Sequence, residues 1–281
     1  MKVLVTGANG QLGYDVIKRL SSIGESPVGA DKEDFDITDE RAAADYIAAL
    51  KPDAVVHCAA YTAVDKAEDD AELCRRVNVD GTRNIALACR GIGAKLVYIS
   101  SDYVFGGTGS EPLEPGDRKD PQNVYGLTKL GGEEAAKLCE KHFIVRTSWV
   151  FGLNGGNFVK TMLRLAQTHD KITVVDDQIG SPTYTPDLAR LICDMIKTDK
   201  YGEYHASNEG YCSWAQFAAE IMRQAGKSTV IVPCTSEEYP AKAKRPANSR
   251  LSKSCLDAAG FKRLPPWQDA LARFLKELDL A

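Results

Sequence analysis

Tyr125-Gly126-Leu127-Thr128-Lys129 is a Y-x-x-x-K at the start of a helical pattern, so its two ends share one helix face. A free phenol titrates near pH 10, too high for an efficient acid at neutrality. An ammonium alongside stabilises the phenolate and lowers that pKa. Tyr125 is then expected to protonate a carbonyl oxygen while hydride arrives at the carbon. Ser101 stands 24 residues upstream, just past an apolar strand-like run, where its hydroxyl can donate to the same oxygen. Hydride needs a carrier, and the first thirteen residues read as its holder. Lys2 to Thr6 is an apolar, β-branched strand that runs into Gly7-Ala8-Asn9-Gly10-Gln11-Leu12-Gly13 and then an amphipathic helix with Leu12, Val16, Ile17 and Leu20 on one face. Gly7 permits the tight turn, Gly10 lets a pyrophosphate approach the backbone, and Gly13 lets the helix pack close to the sheet. The helix N-terminus offers free N–H groups and a positive dipole end to the phosphates. The spacing is G-x-x-G-x-x-G, a variant of the commoner G-x-G-x-x-G.

The remaining elements must bring these groups together. Ser26 to Ala30 reads as a second strand ending at Asp31, where an acidic group can take the adenosine ribose hydroxyls. That favours NADH by repelling a 2′-phosphate, but Lys32 offsets the repulsion, so NADH and NADPH both stay open. Thr38 is the expected N-cap of a helix carrying Ala43, Tyr46, Ile47 and Leu50. Ala54 to Cys58 is a third strand, opening into Ala59-Ala60-Tyr61-Thr62-Ala63-Val64. Small residues just past a strand's carboxyl end allow a flat cofactor to lie against the backbone. A long helical segment spans roughly Ala71 to Cys89, and Gly81 within it signals close packing. Lys95 to Ser100 is a fourth strand, Val124 to about Lys141 a helix, and His142 to Ser148 a fifth strand. This alternation predicts an α/β fold, a Rossmann-type doubly wound parallel sheet. Beyond about residue 150 the rhythm changes, with strand-like runs at 171–175, 201–206 and 230–233 and helices near 158–167, 185–197, 213–225 and 267–278. Residues 1–150 are read as the dinucleotide-binding domain and 151–281 as a smaller α/β substrate portion that does not fold independently.

A chain of 281 residues with 44% hydrophobic and 26% charged residues is an ordinary globular composition. A net charge of −4 advertises neither nucleic acid nor an anionic membrane. No apolar run approaches the ~20 residues that span a bilayer, and the apolar start is too short for a signal peptide. A cytoplasmic protein, monomeric or homodimeric, is expected. The eight cysteines include no C-x-x-C pair and are read as reduced core thiols. The four histidines show no ligand spacing, so no metal site is expected. Arg245 and Arg250 are candidates for a diphosphate, since guanidinium forks bind phosphate bidentately.

The glycine turn, Asn78-Val79-x-Gly81-Thr82 and Y-x-x-x-K together resemble the extended short-chain dehydrogenase/reductase family, and within it the dTDP-4-dehydrorhamnose reductase branch. The runs Ala59 to Glu68, Ser101 to Phe105, Asn123 to Lys129, Arg146 to Val150 and Arg245 to Leu251 carry the resemblance over nearly the whole chain. It implies that Tyr125, Lys129 and Ser101 form the catalytic triad, with Ser101 standing where many relatives have threonine. It places Gly10, Gln11 and Leu12 at the pyrophosphate, Asp36 and Ile37 beside the adenine, and Ala60, Tyr61 and Thr62 at the cofactor wall. Val64, Asp102, Tyr103 and Trp149 fall on positions lining the sugar site. The resemblance also implies that Lys129 hydrogen-bonds the nicotinamide ribose. The implied reaction is NAD(P)H-dependent reduction of the C4 ketone of a dTDP-4-keto-6-deoxysugar. Asp102 is followed by Tyr103, where dehydratases of this fold carry a glutamate. An epimerase, another sugar-nucleotide reductase and a non-catalytic NADP-binding subunit are the alternatives. Some relatives dimerise through Mg²⁺ held by glutamates. The corresponding residue here is Asp15, read as a solvated helix acid.

Overall fold

The computed structural model describes residues 1–280. The apolar run of β1 (Lys2–Thr6) lies between β2 (Ser26–Ala30) and β3 (Ala54–His57), parallel to both. β4 (Lys95–Ser101) and β5 (His142–Thr147) extend the sheet beyond β3. Val3, Leu4, Val5, Val55, Val56, Leu96 and Val97 have no exposed surface. Burial on both faces is why these strands read as continuous apolar runs with no alternation. Helix α1 (Gln11–Ser22) covers one face. The other is covered by α2 (Glu40–Leu50), by a helical rod and by α6 (Val124–Ala136), which follows that rod in the chain. Short helix α3 (Val64–Ala67) precedes the rod, which consists of α4 (Ala71–Arg75), a π-helical stretch (Arg76–Gly81) and α5 (Thr82–Ile92).

After β5 come β6 (Val150–Phe151), α7 (Phe158–Leu165), β7 (Lys171–Val175), β8 (Ile179–Gly180), β9 (Thr183–Tyr184) and α8 (Thr185–Ile196). The chain then returns to the sheet. β10 (Gly202–His205) pairs in parallel with β5 and becomes the sixth strand, in the order β10-β5-β4-β3-β1-β2. α8 packs beside α1 on the same face. Of the rest, β11 (Cys212–Ser213), α9 (Trp214–Gln224), β12 (Val230–Cys234) and α11 (Trp267–Leu280) complete a smaller lobe, while α10 (Ser254–Ala258) packs its Leu256 into the core of the large sheet. The lobe's two-stranded ribbons surround an aromatic core of Phe151, Phe217, Trp267 and Phe274.

One buried charge cluster ties the sheet to α6. Arg146, with no exposed surface, donates from Nε and Nη2 to Glu133 at 2.7 and 2.6 Å and from Nη2 to Glu203 on β10 at 2.6 Å. Ser100 donates to the same Glu133 carboxylate. Removing one partner of such a cluster strands a buried charge, at a cost of about 3–5 kcal/mol.

Four local expectations need correction. The N-cap of α2 is Asp39, whose carboxylate accepts the Arg41 and Ala42 N–H groups at 2.9 and 3.0 Å. The Thr38 hydroxyl is already donated to Asp36. The segment 71–89 is no uniform α-helix, because the π-helical stretch widens it around Asn78. α6 stops at Ala136, five residues short of the expected end. Asp15 is not solvated: it is 2% exposed and accepts the Thr185 hydroxyl from α8, and burial raises its pKa. All eight cysteines are free thiols. No described helix is long and apolar enough to cross a membrane, and the described residues include no cluster of three metal-ligating side chains.

Candidate active site

The strand ends of β1, β3 and β4, the loop after β2, the first turn of α6 and the turn after β5 enclose one cleft of about 860 Å³. It lies at the carboxyl ends of the parallel strands, where open α/β sheets bind ligands. The opening glycines form its floor. Gly7 has φ of 67°, and a Cβ there would lie 2.7 Å from the Ala59 nitrogen. A Cβ on Gly13 would lie 2.1 Å from the Gly7 carbonyl oxygen. Gly10 is the N-cap of α1 and has no side chain to satisfy the first N–H groups, so the helix's positive end is left to the cleft. Gly10, Gln11, Leu12 and Gly13 all line it. This uncapped, glycine-tight cradle fits a dinucleotide pyrophosphate.

At the end of the cleft past β2 stand Asp31, Lys32, Phe35, Asp36, Ile37, Thr38 and Arg76. The Asp31 carboxylate accepts the Asn9 N–H at 2.9 Å, which ties the end of β2 to the glycine turn. Hydrogen bonds from the Thr38 N–H and hydroxyl hold the Asp36 carboxyl below its usual range. Along the end of β3, Cys58, Ala59, Ala60, Thr62 and Val64 line the wall. Tyr61 does not: its phenol donates to Asp70 at 2.8 Å. Its backbone is nevertheless fixed, because its N–H donates to Asn78 Oδ1 at 2.8 Å and its carbonyl accepts from Asn78 Nδ2 at 3.1 Å. The π-helical stretch thus places Asn78 where it pins the cofactor wall, a use of π-bulges that recurs at functional sites.

Ser101, Asp102, Tyr103, Tyr125 and Lys129 meet in the middle. α6 is capped by Asn123, which accepts the Gly126 N–H at 2.7 Å. A Cβ on Gly126 would lie 2.2 Å from the Tyr103 carbonyl oxygen, so glycine after Tyr125 lets α6 close on the turn after β4. Tyr103 meets Tyr125 edge-to-face with ring centres 5.5 Å apart. The Ser101 hydroxyl donates to Asp102 Oδ1 at 2.9 Å and accepts the Tyr103 N–H at 3.2 Å. Burial pushes the Asp102 carboxyl up to about 6, against hydrogen bonds from Ser249 and Ser101. Burial also pushes the Tyr125 phenol up, and Asp102 adds to the shift while Ser101 opposes it. The expected lowering by Lys129 is not what governs the phenol. Lys129 is 2% exposed, its ammonium lies 4.2 Å from the centre of the Tyr98 ring, and burial lowers its own pKa to about 7.

The far side of the cleft holds Thr147, Ser148, Trp149, Val150 and Trp214. In the sequence Trp214 reads as core, an aromatic residue opening an amphipathic helix; in the fold it lines the cleft. Arg245 and Arg250 are not in the lining. Arg245 is bonded to Asp65 at 2.7 Å, beside the Tyr103 phenol, and Arg250 folds back on Asn248 at 2.9 Å.

A family profile described as RmlD substrate binding domain matches residues 1–280. The chain is 44% identical over 277 residues to a spore coat polysaccharide biosynthesis protein of Bacillus subtilis, covering 98% of this chain and 97% of that one. It is 41% identical over 276 residues to the dTDP-4-dehydrorhamnose reductase of Streptomyces griseus, covering 95% and 91%. The crystal structure of the dTDP-4-dehydrorhamnose reductase of Bacillus anthracis in complex with NADP superposes with a TM-score of 0.96 at 44% identity, covering 98% and 99%.

Proposed function

The chain belongs to the RmlD substrate binding domain family, and on that premise we infer that it reduces the C4 ketone of dTDP-4-dehydro-L-rhamnose to give dTDP-L-rhamnose, with NADPH or NADH as reductant. The observation that carries the inference is the meeting of Tyr125, Ser101 and Lys129 with the opening glycine turn in one cleft.

A reduced nicotinamide, when bound, supplies the hydride. Gly7, Gly10, Gln11, Leu12 and Gly13 would hold its pyrophosphate, Asp31, Asp36 and Ile37 its adenosine, and Ala59, Ala60 and Thr62 the wall beside it. The Lys129 ammonium has no carboxylate partner among the described residues, and its donors would suit a ribose hydroxyl. Ser101 and Tyr125 both present hydroxyls where a substrate ketone would enter. The raised pKa of Tyr125 keeps the phenol protonated until charge develops on the ketone oxygen. An alkoxide is a stronger base than a phenolate, so the proton moves downhill as hydride arrives. Ser101, by turning its single hydroxyl proton from Asp102 Oδ1, would donate to the same oxygen and stabilise the charge as it forms. Val64, Asp102, Tyr103 and Trp149 would line the sugar, whose C–H face suits the flat indole. Arg245, at the rim beside Tyr103, would reach a diphosphate only by leaving Asp65, and Arg250 only by leaving Asn248.

The test is consumption of reduced nicotinamide, followed by absorbance, with dTDP-4-dehydro-L-rhamnose and with Tyr125→Phe as the control. The wild type should turn over. The variant should lose activity about a thousandfold while binding NADPH normally. No turnover by the wild type at saturating substrate refutes the reading, and a variant within a few-fold of wild type removes Tyr125 from the role.

A further inference from the structure

Trp149 is one of only two non-glycine residues with positive φ among those described, at 50°, a conformation that bulky side chains seldom adopt. A strained residue lining a ligand cleft persists only when its surroundings over-determine it. Here the surroundings are identifiable. The Trp149 indole stacks on that of Trp214 with ring centres 3.8 Å apart and planes 14° from parallel. A Cβ on Gly180 would lie 2.9 Å from the Trp149 Cε2 and Cζ2 atoms, so the ring edge fits where Gly180 has no side chain. The Trp149 carbonyl accepts the Thr183 N–H at 3.1 Å.

The slot is itself rigid. Gly180 on β8 pairs with Cys212 on β11. The next residue, Ser213, caps α9 reciprocally with Gln216, which fixes Trp214 as the first residue of that helix. Phe158 supports Trp214 with ring centres 4.6 Å apart. Trp214 is only half-buried and lines the cleft together with Trp149, unlike the enclosed aromatic residues of the lobe's core.

We propose that Trp214, with Gly180, forms the seat that holds Trp149 as the sugar-facing wall, making Trp214 a positioning residue for the sugar nucleotide. This rests on the reading of Trp149 as a sugar contact. One face of Trp149 is spent on Trp214, and the stack sets where the remainder meets the cleft. Without it, the left-handed backbone at Trp149 loses its support, and the sugar loses a preorganised surface. The cofactor cradle and the Tyr125 proton donor are built from other elements and keep their geometry.

The experiment compares Trp214→Leu, Trp214→Phe and Trp149→Phe by steady-state kinetics, NADPH affinity and far-ultraviolet circular dichroism, in which stacked indoles give an exciton couplet. Trp214→Leu should raise KM for the dTDP-sugar about tenfold with kcat within about threefold and NADPH affinity unchanged. Trp214→Phe, which keeps a flat ring, should recover most of the KM. All three variants should lose the couplet. A Trp214→Leu enzyme with wild-type KM, beside a Trp149→Phe enzyme with raised KM, overturns the seat alone. An unchanged KM in Trp149→Phe removes the sugar-wall reading and the seat with it. Should Trp214→Leu fail to fold, Trp214→Met, which fills the space without a flat ring, takes its place in a cycle with Trp149→Phe: KM effects that simply multiply would refute coupling, and a double variant no worse than Trp149→Phe beside a raised KM in Trp214→Met supports it.

Discussion

The two walls of the cleft are built from different materials. The cofactor side is backbone against backbone: Gly7 on Ala59 and Gly13 on Gly7, each closer than a Cβ allows. The substrate side is side chain against side chain, with Trp149 between Trp214 and the gap at Gly180. Main-chain contacts are fixed by strand register and helix entry, so they cannot yield to a different shape. Ring contacts come from three separate segments and can repack. A shared fold can therefore keep one cofactor geometry while varying the molecule it reduces.

The sharpest way to break this contrast is to add one methyl group to each wall. Gly13→Ala puts a carbon 2.1 Å from a carbonyl oxygen, so the turn must move. We expect a loss of about 1–3 kcal/mol in stability and NADPH affinity weaker by about a hundredfold. Gly180→Ala meets side chains alone, the Trp149 ring at 2.9 Å and the Ser249 Cβ at 3.1 Å, which can shift, so NADPH affinity should stay unchanged while KM for the sugar nucleotide rises. Isothermal titration with NADPH and steady-state kinetics separate the two; equal effects on cofactor affinity would erase the distinction. A smaller effect tests the shared sheet. Burial first, then the Lys129 charge, lowers His57 to about 3, and burial, then Arg146, does the same for His205. The unfolded chain takes these protons near pH 6.5 and the folded chain does not. Their contribution is full above that pH and is lost as pH falls toward 3, by up to about 1.4 kcal/mol per unit per histidine. Asp102, raised to about 6, and Asp15, also raised by burial, work in the opposite sense above their ordinary pKa, but the two histidines begin to count at pH 6.5 and go on counting down to about 3. Melting temperature should therefore fall between pH 7 and 5, and fall less steeply in His57→Gln. A flat profile would mean that these imidazoles protonate in place. The smallest effect concerns the adenosine end. Asp31→Ala removes one of the two cleft-lining carboxylates beside Lys32 and Arg76, so the NADPH-to-NADH ratio of kcat/KM should rise about fivefold; an unmoved ratio places Asp31 away from the ribose.

The same contrast governs what was legible in the sequence. Strand runs and glycine spacings are local signals, and β1 to β5, the glycine turn and the Y-x-x-x-K helix could be read directly from them. Ser101, Tyr125 and Lys129 were placed by order along the chain, and the sheet brings them to one cleft. Trp214 was invisible because its partner lies 65 positions earlier and no periodicity links them. Asp15 looked solvated because the helix that covers it, α8, begins at residue 185. Arg245 reads as free because Asp65, 180 positions earlier, becomes its neighbour only in the folded chain, and Arg250 because no periodicity signals that its side chain turns back on Asn248, two residues before it. Tyr61 belonged to a stretch suited to lie against a cofactor, yet alternate side chains of an extended segment face opposite ways, and Asp70 takes its hydroxyl.

β10 pairs with β5 across the length of the small lobe's first half. During synthesis, β5 therefore emerges with a bare hydrogen-bonding edge, and Arg146 lacks Glu203, until residue 205 clears the ribosome. An unpaired strand edge is a template for the wrong neighbour. The first 150 residues expressed alone would carry that sticky edge permanently.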